Sequence, residues 1–142
     1  VKKTILLAAA VAALAAMAMV SLTMSACEVS TANISDIKIC DDMSGDQCTA
    51  DKSAIPAAAP AIYCSGQLDN APEGTTVKIT WRYLPDDIDI DSVTLTADKS
   101  GGGPFSSSLT KPEGNWPAGK YEVVLDLGTD NSEPVHKQFE VI

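Results

Sequence analysis

Cys40, Cys48 and Cys64 are the first residues whose type and spacing suggest chemistry. Cys40 and Cys48 enclose the polar loop Asp41–Gln47, with Gly45 inside it, and a disulfide closes such a loop easily. The rival pairing is Cys40–Cys64 across neighbouring strands. Alternation sets Cys40 opposite Ile37 and Ile39, which favours the Cys40–Cys48 bridge, a crosslink worth about 2–3 kcal/mol. Cys64 shares a face with Ile62 and Leu68, where a free thiol behaves as a small hydrophobe. Three cysteines with no nearby histidine do not compose a metal site.

Asp86, Asp87, Asp89 and Asp91 place carboxylates at nearly alternate positions, and Asp87, Asp89 and Asp91 are the oxygen ligands a calcium ion would use. An EF-hand loop opening at Asp87 needs Gly at its sixth position and Glu at its twelfth, where Ser92 and Asp98 stand. The alternative is a solvated face: Ile88 and Ile90 point inward, and the aspartates face water beside a sheet edge they protect from aggregation. The expectation is therefore no cofactor, with weak calcium binding as the one alternative. Trp116, beside Pro117 and Gly119, reads either as a surface contact for sugars or proteins, or as a cap over one end of the fold. Ser106, Ser107 and Ser108 have one His in the whole chain, His136, and alternation turns it toward solvent. No nucleophile, base and oxyanion hole assemble, so the expectation is a protein that is not an enzyme.

The formal charge of −9, from 10 basic and 19 acidic residues, argues against nucleic acid as a partner. The 142 residues allow one folded domain. Past residue 33 the apolar pattern has period two. It predicts strands over Ile34–Cys40, Ile62–Leu68, Val77–Tyr83, Val93–Ala97, Phe105–Leu109, Tyr121–Leu127 and Val135–Val141. Turn chemistry fills the gaps at Asn70–Gly74, Gly101–Pro104, Lys111–Asn115 and Gly128–Pro134. Asp41–Ala59 is the one long irregular stretch. About seven short strands, with a Trp inside the third, point to an all-β, immunoglobulin-like β-sandwich.

The N-terminus reads as an address. Lys2 and Lys3 precede the apolar run Thr4–Met24, and the next charge is Glu28. Basic opening, apolar stretch and small-residue exit describe a signal peptide. Its exit, Leu22-Thr23-Met24-Ser25-Ala26-Cys27, resembles a bacterial lipobox. That resemblance implies cleavage after Ala26, lipid on Cys27 and attachment to the membrane there. Two other readings stay open: an uncleaved anchor helix, and ordinary secretion with cleavage after Ser25 or Ala26. The expected division is signal peptide 1–26, polar tether 27–33 and β-domain 34–142.

Three stretches carry a family resemblance: Ala61–Tyr63 with Leu68–Trp81, Ile90–Thr96, and Leu109–Val123. They resemble an immunoglobulin-like domain of bacterial and archaeal lipoproteins and exported proteins. The similarity spans roughly Ile34 to Ile142 and is most specific in Pro112-Glu113-Gly114-Asn115-Trp116-Pro117-Ala118-Gly119-Lys120-Tyr121. Gly66 departs from it, where the family places an apolar residue. The resemblance implies the fold and a cell-envelope location, on the periplasmic or extracellular side, and brings no catalytic residues. The resulting expectation is a lipid-anchored module for an unidentified protein or glycan partner. Two alternatives stand beside it: a subunit of a filament or surface assembly joined by strand complementation, and a calcium- or carbohydrate-binding accessory domain.

Overall fold

The computed structural model describes residues 31–129 and 132–142. The apolar run and Cys27 lie outside the described residues. Every regular element among those described is a strand: β1 (Asn33–Cys40), β2 (Met43–Ser44), β3 (Gln47–Cys48), β4 (Ala54–Ile55), β5 (Ala61–Asp69), β6 (Thr76–Tyr83), β7 (Ile88–Thr96), β8 (Gly102–Thr110), β9 (Gly119–Leu127) and β10 (Val135–Val141). They form a three-stranded sheet β1-β5-β8, a five-stranded sheet β4-β10-β9-β6-β7 and the small hairpin β2-β3. All pairings are antiparallel except β4 with β10.

Period-two alternation decides which side chains meet. Val77, Ile79 and Trp81 of β6 join Tyr121, Val123, Leu125 and Leu127 of β9 and Phe139 and Val141 of β10. They pack with Ile39, Ile62, Cys64, Leu68 and Leu109 of the smaller sheet in one hydrophobic cluster. Trp81 is 1 % exposed, meets Phe139 edge-on at 6.3 Å, and donates its indole N–H to Ser107 Oγ of β8 at 3.1 Å. One side chain thus fills the space between the two sheets and is also bonded across it. Truncation of such a residue to Ala costs about 3–5 kcal/mol.

The strands depart from simple alternation in three places. Ile34 and Ile39 are an odd number of residues apart, yet both pack toward the core, opposite Leu68 and Cys64. A register shift between Ser35 and Lys38, with Asp36 at a φ of 52°, absorbs the extra residue. In β7 a second shift lies opposite Trp81 and Arg82. The expectation that Ile88 and Ile90 are covered is corrected here: they remain 50 % and 40 % exposed, because the seam between them and Leu109 of β8 is left as an open groove. Third, Asp41–Ala59 is not irregular throughout. It holds the β2-β3 turn and β4, whose Ile55 is fully buried.

Gly66 has a packing reason. It pairs with Phe105, and a Cβ at Gly66 would stand 2.7 Å from Phe105 Cζ. The ring occupies the place that an apolar side chain would otherwise take. Gly66→Ala is therefore expected to destabilise the fold by about 1–3 kcal/mol through overpacking, measured by urea unfolding. Adding Phe105→Leu should recover much of that loss; equal losses in the single and double variants would refute the contact as its cause.

Candidate functional site

Cys40 and Cys48 form a disulfide with their Cα atoms 5.8 Å apart, as the loop spacing predicted. Cys40 pairs in register with Tyr63, and Ile39 with Cys64, so Cys40 lies on the side of the sheet away from the core. The corner is well bonded. Cys48 donates its backbone N–H to the fully buried Ser65 hydroxyl at 3.0 Å. Lys52 N–H reaches Ile39 O at 2.8 Å, and Ile39 N–H donates to Asp51 Oδ1 at 3.0 Å. Burial pushes the Asp51 carboxyl up, but the Ile39 N–H, Lys137 at 2.6 Å and Lys38 outweigh it and hold it below its ordinary value. Cys64 is free and buried, and burial pushes its thiol up to about 12, which keeps it protonated and inert.

The acidic strand is engaged by arginine. Arg82 Nε donates to Asp89 Oδ1 at 2.9 Å, and its Nη2 pairs with Asp87. Asp91 accepts the N–H of Ser92 at 2.8 Å. Among the described residues no group of three His, Cys, Asp or Glu is placed to hold a metal ion. The same Arg82 continues a polar rung across four strands on the outer face: Asp89, Arg82, Glu122 and Gln138 stand opposite one another in register. Gln138 Nε2 donates to Glu122 Oε2 at 3.1 Å, and His136 Nδ1 lies 3.2 Å from Glu122 Oε1. Those neighbours leave Glu122 only 7 % exposed. The Gln138 hydrogen bond, with help from His136 and Arg82, holds the Glu122 carboxyl below its ordinary range against the opposing effect of burial.

Trp116 is 5 % exposed, which replaces the surface-contact expectation with the capping one. Its indole N–H donates to Ala59 O at 2.7 Å, and its backbone N–H to Ala57 O at 2.9 Å. Tyr121 donates its hydroxyl to Pro117 O at 2.7 Å, and Tyr83 donates to Ala118 O at 2.9 Å. Gly119, at a φ of 133°, lets the chain pass close to the Tyr83 ring. Pro112–Tyr121 is thus a plug held from three sides.

Beside this plug lies an open apolar groove of about 250 Å³ between β7 and β8, lined chiefly by Tyr83, Ile88, Ile90, Leu109, Trp116 and Pro117. A second, more polar cavity of about 280 Å³ opens at the other end of the same seam, between Leu95 and Phe105. Ser107, midway along β8, is committed to Trp81, and His136 belongs to the opposite face with Glu122. The groove, an acidic turn above it and the exposed edge of β8 are therefore the surface features best suited to binding.

No protein-family model and no curated protein matches the chain. Solved structures similar to it include wild-type OgpA from Akkermansia muciniphila, at 18 % identity over 80 % of this chain and 27 % of that one, with a TM-score of 0.42. Another is the PmoD soluble domain from Methylocystis sp. ATCC 49242 (Rockwell), at 15 % identity over 81 % and 95 %, with a TM-score of 0.44. A β-glucosidase from Listeria innocua, at 8 % identity over 78 % and 16 %, has a TM-score of 0.46. The chain spans about a quarter or less of the OgpA and β-glucosidase chains. At these scores the likenesses decide neither fold nor activity.

Sequence reading missed Glu122, Asp51 and Ser65. Glu122 alternates outward between Tyr121 and Val123 like any solvated residue, and only its register against Arg82 and Gln138 distinguishes it. Because its carboxyl titrates lower in the folded chain than in the unfolded one, its stabilising contribution is fully present above the ordinary value of 4.5 and is lost as pH falls through the folded value. The melting-temperature gap between wild type and Glu122→Gln should accordingly be present at neutral pH and close on acidification below 4.5. A gap that does not change with pH would contradict this linkage.

Proposed function

We propose that the chain is an exported, lipid-anchored envelope protein displaying an immunoglobulin-like β-sandwich that binds a partner or serves as a structural module. The observation that carries the reading is the Cys40–Cys48 disulfide, in a chain whose N-terminal sequence reads as an export signal. Disulfides of this kind form and persist in oxidising compartments. The immunoglobulin-like assignment is supported by the strand order β1-β5-β8 against β10-β9-β6-β7. It is also supported by the buried Trp81 on β6, and by Tyr121, near the start of β9, bonding back to Pro117 O as a tyrosine corner does. The membrane contact would run through Cys27, and the partner would be a protein or a glycan. The pairing of Arg82 with Asp87 and Asp89 weighs against the calcium alternative. The strand-complementation alternative is favoured by the open β8 edge.

Intact mass spectrometry of the protein purified from its native membrane tests the anchor. A chain beginning at Cys27 with added acyl mass, and lighter by two hydrogens for the disulfide, is the expected result. A chain retaining Lys2 and Lys3 would replace the lipid anchor with a membrane-spanning helix.

A further inference from the structure

The two sheets are unequal, and their edges are unequally protected. Exposed strand edges in soluble proteins are usually blunted by charge, proline or a bulge. β7, at one edge of the larger sheet, has all of these but proline: Asp89, Asp91 and the register shift opposite Trp81 and Arg82. β8, at the edge of the smaller sheet, carries no charged residue from Gly102 to Thr110. Pro104 blunts only its beginning, and Phe105–Thr110 is left as an undefended run.

The exposed hydrophobic side chains cluster in the same place. Ile88, Ile90 and Val93 are 50 %, 40 % and 36 % exposed, and the other large exposed hydrophobic residue of the described chain is the terminal Ile142. Ile88 and Ile90 line the apolar groove with Leu109 of β8. Neighbouring strands lie about 4.8 Å apart and packed sheets about 10 Å apart. A further strand beside β8 would therefore sit level with β7 and cover those side chains. The groove marks the position of an absent fourth strand of the smaller sheet.

The charge around it describes the occupant. Of the four carboxylates beside the groove, Asp87 and Asp89 are bonded by Arg82, Asp89 on the outer face. Asp91, in register with the inward-facing Trp81, and the turn residue Asp86 have no Lys or Arg paired with them among the described residues. A second copy of the chain would bring the same four carboxylates and a formal charge of −9 against this wall. An occupant with Lys or Arg flanking an alternating apolar stretch complements it. We infer that the open edge of β8, with the groove beside it, receives an extended cationic segment of a partner protein as an added strand. Main-chain hydrogen bonds to Phe105–Thr110 would supply affinity, and alternate apolar side chains filling the groove would supply specificity. The inference deepens the binding reading above and rests on it only for the claim that the chain acts by binding.

The test uses the full chain in a non-ionic detergent and synthetic nine-residue peptides. These have Val, Ile, Phe or Tyr at alternate positions, Thr between them, and Lys at both ends; a matched set ends in Glu. The best lysine-ended peptide should bind about tenfold or more tighter than its glutamate-ended match at low salt. It should also slow exchange of the edge-facing amides within residues 105–110, those not already bonded to β5. N-methylation of one alternate set of peptide amides should abolish binding while methylation of the other set does not, because an added strand uses one edge. Ile88→Glu with Ile90→Glu should remove binding and leave the urea-unfolding transition cooperative, since both residues are already about half exposed. Equal affinity for the two sets, no binding by any lysine-ended peptide, or protection at β7 or β1 would overturn the proposal. Slow exchange of the edge-facing amides of residues 105–110, those not bonded to β5, before peptide is added would overturn it too, by showing the slot filled by a second copy or by the chain's own N-terminal residues. Any of these failures would leave the acyl-mass result, and with it the anchored-module reading, intact.

Discussion

The contact on which the structure most depends is Trp81 between the sheets. Its ring packs edge-on against Phe139, and its N–H crosses to Ser107, so the spacing between β6 and β8 is set by one side chain. A buried indole needs an acceptor, and the small Ser107 provides one without filling the space the ring requires. Phe139 in turn stacks on Tyr121 at 5.3 Å, and Tyr121 reaches back to Pro117. The aromatic chain therefore runs from the middle of the fold to the plug at its end. The end of the fold is ordered by the same residues that order its centre.

The unequal sheets follow from where the polar and apolar residues fall. Eight of the nine β5 residues are uncharged and five are buried, and that strand sits centrally between β1 and β8. β7 is the reverse: five of its nine residues are Asp, Ser or Thr, eight are exposed, and it occupies an edge. Its Ile88 and Ile90 still face the seam, where they line the open groove with Leu109 and stay half exposed. Burying them further would need either a longer smaller sheet or a partner. The Arg82–Glu122 rung does the complementary task on the outer face, where opposite charges in register join three strands and the Gln138 hydrogen bond adds the fourth.

Seven of the strands were legible because each keeps period two for most of its length. Val77 to Tyr83 is the clearest case, and its inner and outer faces are as its alternation implies. The two register shifts were not legible. Asp36 and Ile90 look like ordinary strand residues until the parity of Ile34 and Ile39, or of Trp81 and Arg82, is fixed by a partner strand. Ile55 was hidden for another reason: a single Ile among Ala and Pro has no period, and parallel pairing with β10 is a distant contact. The disulfide could be read from loop length, and Trp116 as a cap from its turn context. The groove could not, because it exists only where two edges from different sheets come side by side.

The disulfide also governs how the chain bears a pull from its N-terminal end. Load applied at Asn33 strips β1 from β5 pair by pair until it reaches Cys40. There the force passes through the sulfur bridge directly to Cys48, across the 5.8 Å that separates the two Cα atoms. The bypassed loop Asp41–Gln47 stays slack, so about 20 Å of contour never lengthens the molecule. Force then arrives at a residue anchored to the buried Ser65, on the same β5 strand that β1 has just left. The bridge therefore works as a stop: it limits how far the first strand can unravel before the central strand must share the load.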